Sequence, residues 1–221
     1  MAGEYRILLA GGTGFVGGLV LQRLAARSDV ASIAAVGRKA APAAGKVTHM
    51  VTDFASPPAG LAETYDAVLL CLGTTAGRAG SEAAFERVEH DFALAVARWG
   101  RERGARTCAN ISALGADSAS RSPYLRTEGR TETDLSALGF PSLHLFRPSF
   151  FRGRPSLNWR ERAGAMVCEA AWRLGLGPEA IRPIAGAALA AAIVASLDDP
   201  RRGVRTWHYR EIAALAELDQ Q

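Results

Sequence analysis

Three glycines near the N-terminus, Gly11, Gly14 and Gly17, are the residues whose types and spacing most clearly indicate chemistry. An apolar run precedes them and a helical pattern follows, which is the context expected of a dinucleotide-binding turn. Gly11 permits a tight turn out of a strand, Gly14 lets backbone approach a pyrophosphate, and Gly17 allows close packing of helix on sheet. The phosphates would lie on the N–H groups that open the helix, where its dipole is positive. The predicted contacts are Gly11, Thr13, Gly14, Phe15, Val16 and Gly17; an ordinary glycine-rich loop is the alternative interpretation.

A basic pair follows the second predicted strand, where a dinucleotide fold selects its cofactor. Arg38 and Lys39 stand there, with no acidic residue beside them. A carboxylate at this point hydrogen-bonds a free 2′-hydroxyl, whereas a cation accommodates a 2′-phosphate. A guanidinium grips a phosphate through two hydrogen bonds, and a neighbouring lysine adds a point charge. We therefore predict NADP rather than NAD, with a solvated basic turn as the alternative.

The ends of the next two strands supply further candidates. Asp53, followed by Phe54, is placed to meet the adenine amino group, although an aspartate is equally suited to a solvated turn. The segment Leu72-Gly73-Thr74 follows the fourth strand and should pass beneath the adenosine ribose. Gly73 permits close backbone approach there, as it would in a plain turn.

Strand and helix patterns alternate along the chain, which predicts an α/β fold: a Rossmann-like, doubly wound, mostly parallel sheet with helices on both faces. Short apolar runs bounded by Gly, Pro or charged residues predict the strands Tyr5–Ala10, Ile33–Val36, Val47–Thr52, Ala67–Leu72, Arg106–Ile111 and Ser142–Phe146. Helical patterns lie between them at Phe15–Arg27, Ser81–Arg103 and Pro123–Leu138. Ser81 is a candidate N-cap, and Gly104 and Gly139 are candidate C-terminal caps.

The last third changes character. An amphipathic helix is predicted at Leu157–Leu174, a small-residue helix at Pro183–Leu197 and a final strand at Val204–Tyr209, followed by a short helix. We see no linker or internal repeat, so one domain is expected over residues 1–221, with a nucleotide-binding core at 1–150 and variable substrate-side elements at 151–221.

Composition narrows the function classes. The 221 residues carry a net charge of +4, and nearly all of the basic charge is arginine with no dense basic run. This gives no nucleic-acid footprint, so no nucleic-acid partner is expected. The three cysteines are widely spaced, with Cys71 and Cys108 in apolar runs typical of small buried hydrophobes. Together with the lack of a visible signal peptide or membrane span, this predicts a cytoplasmic protein without a membrane partner. The histidines have no ligand spacing, and no metal site is predicted.

The chain resembles an atypical short-chain dehydrogenase/reductase, and more narrowly it is similar to the Tat-interacting-protein-like oxidoreductases. The similarity covers residues 5 to about 148 in the right order. Its motifs are Gly11-Gly-Thr-Gly-Phe-Val-Gly17, Leu72-Gly-Thr-Thr75, Ala79-Gly-Ser-Glu82, Ile111-Ser-Ala-Leu-Gly-Ala-Asp117, Tyr124-Leu-Arg-Thr127 and Phe146-Arg-Pro148. The resemblance implies a pyridine nucleotide and a catalytic Ser/Tyr/Lys set.

That set is incomplete in this chain. Ser112 matches the family's serine and Tyr124 its tyrosine, whereas Glu128 stands where the family's Tyr-x-x-x-Lys motif has lysine. A carboxylate can still accept hydrogen bonds from ribose hydroxyls, yet its charge should raise the pKa of the tyrosine. Ordinary packing roles are the alternative for the serine and tyrosine. For Glu128 a solvated helix position is the favoured alternative to a ribose contact.

The segment after the sixth strand completes the predicted site. The resemblance implies that backbone atoms of Pro148 and Ser149 pass the nicotinamide carboxamide. Arg147 is expected to be a structural ion-pair partner, and Arg126, Arg130 or Arg152 are candidates to replace the missing lysine charge.

Two functions follow from these expectations. The first is an NADP-dependent oxidoreductase acting on a small carbonyl or alcohol substrate, with the cofactor supplying the hydride chemistry. The second is a non-catalytic NADP(H)-binding sensor or partner-binding module, which the glutamate at position 128 favours. A small-molecule substrate and a monomer or homodimer are expected.

Overall fold

A seven-stranded parallel sheet forms the centre of the protein, described here from a computed structural model. The structure describes residues 4–39, 44–73, 80–149, 151–152 and 182–218, the pair 151–152 by its backbone alone. The strands are β1 (Tyr5–Ala10), β2 (Val30–Gly37), β3 (Val47–Val51), β4 (Ala67–Leu70), β5 (Thr107–Ile111), β6 (Ser142–Phe146) and β9 (Gly203–Trp207). Their order is β3-β2-β1-β4-β5-β6-β9, with every neighbouring pair parallel. The fold class predicted from the sequence is confirmed.

The helices lie between these strands along the chain. They are α1 (Phe15–Ala26), α2 (Glu82–Glu86), α3 (Phe92–Glu102), α4 (Pro123–Ala137), α5 (Gly186–Ala195) and α6 (Tyr209–Leu218). A π-helical segment, Arg87–Asp91, joins α2 to α3, and a 3₁₀ turn, Ser196–Asp198, follows α5. None of the helices in these ranges is long and apolar enough to cross a membrane.

Alternating side chains of β1 divide the core into two layers. Ile7 and Leu9 pack with α1, α5 and α6 on one face, whereas Leu8 and Ala10 pack with α3 and α4 on the other. All four are fully buried. Because a strand covered on both faces is apolar throughout, β1 shows no alternation in its sequence.

Most boundaries predicted for the first 150 residues lie within one or two residues of those observed. Ser81 is confirmed as an N-cap, since its hydroxyl accepts from the Ala84 N–H at 3.1 Å. Gly104 and Gly139 have φ of 87° and 67°, as expected of helix-terminating glycines. The helical pattern predicted over Ser81–Arg103 is confirmed: helical residues run without a break from Glu82 to Glu102, and the five in the middle are π-helical.

The last third departs further from the predictions. The helix expected from Pro183 begins only at Gly186, after a short strand β8 (Ile184–Ala185) that pairs in parallel with β7 (Phe151–Arg152). The final strand ends at Trp207, and α6 follows it. The helix predicted at Leu157–Leu174, which contains Cys168, lies outside the described residues.

Carboxyl ends of parallel strands meet at one edge of the sheet, and the chain reverses its direction of growth between β1 and β4. Ligands of doubly wound sheets bind at this switch point. The predicted site residues that follow β1, β2, β3 and β4 therefore converge on one crevice.

Candidate functional site

The glycine-rich turn between β1 and α1 depends on missing side chains. Gly11 has φ +84°, and a Cβ there would lie 2.3 Å from the Cys71 carbonyl oxygen. A Cβ on Gly17 would lie 2.2 Å from the Gly11 oxygen and 3.1 Å from the Cys71 Cβ. The turn is closed by the Gly14 N–H, which donates to the Gly11 carbonyl at 2.8 Å. The roles predicted for Gly11 in turning the chain and for Gly17 in close packing are confirmed.

The N-terminus of α1 is open to a ligand. Gly14 is the N-cap residue, no side chain caps the helix, and no acidic residue lies in its first turn. The opening N–H groups and the positive end of the dipole are thus left for an anion. Thr13 and Gly14 are exposed, whereas Val16 is buried. The ring of Phe15 packs against Gly186, where a Cβ would lie 2.5 Å from a ring carbon.

A cleft of about 670 Å³ lies at the ends of β2 and β3. Arg38 and Asp53 line it, as predicted for the adenosine side. Arg87, on the π segment, also lines the cleft and was missed by the sequence analysis. Nothing local marks Arg87, because only helix packing brings it to the strand ends. Lys39 is exposed but does not line the cleft.

The turn after β3 is held by its own side chains. Asp53 Oδ1 accepts from the Ala55 N–H at 2.9 Å, so the turn role considered for Asp53 is present alongside its position in the cleft. The side chain of Phe54 is buried and stacks on Phe92 with ring centroids 4.3 Å apart. Phe54 therefore has only its backbone to offer a nucleotide, and its φ of 66° is a strained conformation for an aromatic residue.

The end of β4 passes directly under the glycine-rich turn. Leu72 is half-buried and Gly73 is exposed, while Thr74 lies outside the described residues. Cys71 and Cys108 are free and buried, as predicted. Burial raises the pKa of the Cys71 thiol to about 12, so this cysteine is a packing residue rather than a nucleophile.

Ser112 follows β5 and is 5% exposed. Among the described residues its Oγ has no hydrogen-bond partner, although burial normally requires one. The hydroxyl lies close enough to the Glu128 carboxyl to oppose the rise in that group's pKa, without full hydrogen-bond geometry. Ser112 and Glu128 are therefore neighbours in this buried part of the site.

Tyr124 lies in the first turn of α4, directly after Pro123. Tyr124 is 42% exposed. Its ring is tilted against the ring of Phe85, with the ring centroids 5.5 Å apart. Desolvation of the hydroxyl is the larger cause that raises the pKa of Tyr124, and the charges of Glu128 and Glu89 add to it. The rise predicted from Glu128 is confirmed in direction, with burial as the stronger contributor.

Glu128 is 4% exposed, so the favoured interpretation of a solvated helix residue was wrong. Its helix packs on the loop after β5 so closely that a Cβ on Gly129 would lie 2.2 Å from the Ser118 nitrogen. Glu89 and Glu132 are also buried nearby. Burial, followed by the charges of these two glutamates, raises the pKa of Glu128 well above its ordinary value.

No arginine predicted to replace the lysine charge is available among the described side chains. Arg126 pairs with Glu82 at 2.9 Å, and Arg130 pairs with Glu86. The side chain of Arg152 lies outside the described residues.

The segment after β6 is largely occupied by protein contacts. Arg147 forms a two-pronged ion pair with Glu132, one bond being 2.8 Å, which confirms its structural role. Pro148 has no N–H, and its carbonyl accepts from the Leu114 N–H at 3.0 Å. The Ser149 hydroxyl donates to the Arg182 carbonyl at 2.8 Å. A backbone contact from Pro148 to a cofactor therefore competes with an existing hydrogen bond.

Solved structures with similar folds bind nucleotides or act on sugar nucleotides, according to their names. The Bordetella bronchiseptica enzyme WbmH in complex with NAD⁺ has a TM-score of 0.69, 14% identity, and covers 98% of this chain and 80% of its own. The PhqB reductase domain from Penicillium fellutanum has a TM-score of 0.66, 17% identity, and covers 95% and 68%. At such low identity these matches show the fold alone.

Curated relatives give a closer match. The mitochondrial protein fmp52 of Aspergillus clavatus is 34% identical over 157 residues, 67% of each chain. Its counterpart FMP52 in Eremothecium gossypii is 34% identical over 152 residues, 66% of each. The chain thus spans about two thirds of the length of the relatives that it matches. No family model matches.

These names correct two expectations. The matches do not support the narrower similarity to Tat-interacting-protein-like oxidoreductases, because the curated relatives are named FMP52. The cytoplasmic location is contradicted, because the relatives are named mitochondrial proteins. With more than 30% identity over two thirds of a relative, the chain belongs to the FMP52 family.

Proposed function

We propose that this protein is an NADP(H)-dependent oxidoreductase that acts on a small carbonyl or alcohol. The observation that carries the proposal is the uncapped N-terminus of α1 above the turn at Gly11 and Gly17. Side chains at these glycines would collide with backbone, and the helix offers N–H groups with no competing acid. This arrangement fits a diphosphate.

The arginine at the end of β2 supports a 2′-phosphorylated nucleotide. Arg38 is exposed, lines the cleft and makes no ion pair with any residue that the structure describes. No glutamate or aspartate stands at that strand end to bind a ribose diol. NADP(H), when bound, would supply the hydride donor or acceptor.

Ser112 and Tyr124 provide the polar groups for a substrate oxygen. The unsatisfied Ser112 hydroxyl can donate one hydrogen bond to a carbonyl oxygen. The raised pKa of Tyr124 keeps its proton on Oη at neutral pH, so the neutral phenol donates a second. Both bonds stabilise negative charge as it develops on the oxygen. The same raised pKa makes Tyr124 a slower proton donor than a tyrosine beside a lysine.

A non-catalytic NADP(H)-binding role is the second candidate. It is favoured by the buried carboxyl of Glu128 and by the engagement of Arg126 and Arg130 with other glutamates. No cation among the described side chains then lowers the pKa of Tyr124.

Turnover separates the two candidates. NADPH and NADH affinities are first measured by fluorescence, and NADPH should bind more tightly. Oxidation of NADPH with aldehydes, ketones and quinones is then compared in wild type, Tyr124→Phe and Glu128→Lys. Tyr5→Phe is the matched control, because Tyr5 lies at the amino end of β1, whereas the candidate site lies at the carboxyl ends of the strands.

An enzyme loses turnover in Tyr124→Phe and keeps it in the control. If the wild type is inactive and Glu128→Lys gains activity, the binding role is correct and the enzyme proposal fails. Equal affinity for NADPH and NADH would remove the assignment of NADP.

A further inference from the structure

The adenosine-side cleft carries a second arginine whose role the sequence motifs do not assign. Arg87 is exposed and lines the same cleft as Arg38. Arg38 comes from a strand end, whereas Arg87 comes from the π segment between α2 and α3. Two guanidinium-bearing side chains from separate elements thus share one cleft of about 670 Å³.

Local charge pairing leaves Arg87 available. Glu86, its neighbour in sequence, is paired with Arg130, and Glu82 is paired with Arg126. Neither Arg38 nor Arg87 forms a hydrogen bond or ion pair with the described residues. Asp53 is the one acidic residue that lines the cleft within those ranges, and it already accepts a backbone hydrogen bond. The lining therefore carries a net positive charge.

The π segment fixes where Arg87 stands. The Phe92 N–H donates to the Arg87 carbonyl, a bond that spans five residues and sets the two residues one turn apart. Phe92 in turn stacks on Phe54, the buried residue of the turn after β3. The aromatic stack therefore ties the backbone at Arg87 to the turn that carries Asp53.

We propose that Arg87 is a specificity-determining residue that, together with Arg38, binds the 2′-phosphate of the adenosine ribose. A phosphate monoester carries more than one negative charge near neutral pH and accepts hydrogen bonds through three oxygens. One guanidinium satisfies two of these acceptors, and a second from another element lining the same cleft can engage the remainder. The inference rests on the proposed NADP(H) binding and deepens it.

The test uses two probes that lack the nicotinamide, 2′,5′-ADP and 5′-AMP, titrated by calorimetry into the whole protein. Arg87→Gln should weaken 2′,5′-ADP binding about ten-fold, as expected for loss of a charged hydrogen-bond donor. Binding of 5′-AMP should not change. Arg87→Glu should weaken 2′,5′-ADP further by adding repulsion. Arg98→Gln, an exposed arginine on α3 outside the cleft, is the matched control.

The outcomes separate this inference from the function on which it rests. If the wild type prefers 2′,5′-ADP, and Arg38→Gln loses that preference while Arg87→Gln and Arg87→Glu keep it, the inference is overturned and NADP binding stands. If the wild type binds both probes equally or binds neither, the proposed function and the inference fail together. If Arg87→Gln weakens the binding of both probes equally and also lowers the unfolding temperature, Arg87 has a structural role and the inference is overturned.

Discussion

Replacing Glu128 with glutamine should stabilise the protein in a strongly pH-dependent way. Burial and the neighbouring charges of Glu89 and Glu132 raise the pKa of this carboxyl in the folded state. Its unfolded value is about 4.3. As the pH rises above that value, the unfolded chain releases a proton that the folded protein still holds, so the free energy of unfolding falls. The loss is complete once the pH passes the folded pKa.

The magnitude follows from the linkage slope. One proton difference changes the free energy of unfolding by about 1.4 kcal/mol per pH unit. Glu128→Gln removes this titration, so it should gain about 1 kcal/mol on wild type between about pH 5 and about pH 6. The other two glutamates titrate in the same cluster, so the gain reports the cluster as a whole.

Urea unfolding at a series of pH values measures this difference. Titration of groups present in both proteins, such as His144, largely cancels. Glu102→Gln, which removes an exposed glutamate of α3, is the matched control and should leave the slope unchanged. A stability difference between Glu128→Gln and wild type that is constant with pH would refute the argument that Glu128 is buried among like charges.

Three further predictions test other parts of the structure. Gly17→Ala should weaken NADPH binding at least ten-fold in a fluorescence titration, because the new Cβ would lie 2.2 Å from the Gly11 oxygen; unchanged affinity would contradict the cradle. Glu132→Gln should lower the free energy of unfolding by about 1–3 kcal/mol, because it removes the charge that pairs with the partly buried Arg147. Denaturant unfolding at neutral pH measures this loss, and a value near zero would show that the ion pair does not stabilise the fold. His144 has its pKa lowered to about 4, chiefly by burial. The unfolded pKa of a histidine is about 6.5, so stability should fall by up to about 1.4 kcal/mol per pH unit as pH drops toward 4. In urea unfolding at a series of pH values, His144→Gln should flatten this fall, and an unchanged slope would contradict the assignment to His144.

The fold and the geometry of the glycine-rich turn were predictable because their causes are local. The glycine spacing, the uncapped helix start and the arginine after β2 each act within a few residues of backbone. Apolar runs between polar turns likewise marked the strands. The helical pattern over Ser81–Arg103 was correct, but the sequence did not show that Arg87–Asp91 within it has π geometry.

The burial of Glu128 could not be predicted in the same way. Glu128 looks like a surface residue in a polar helix sequence, yet the packing of Gly129 on the backbone at Asp117 and Ser118 buries it. Its charged neighbour Glu89 comes from a helix almost forty positions earlier. A sequence pattern reports periodicity within an element and carries no measure of which elements meet.

The sequence by itself determined a parallel α/β sheet, a tight glycine turn before the first helix and a basic residue at the end of β2, because each depends on backbone geometry close to the residues concerned. Only the tertiary structure decided that Arg87 faces the same cleft as Arg38 and that Glu128 lies buried beside Ser112 and Tyr124. Charge pairing and desolvation act between residues distant in sequence, so they exist only once the helices have packed onto the sheet.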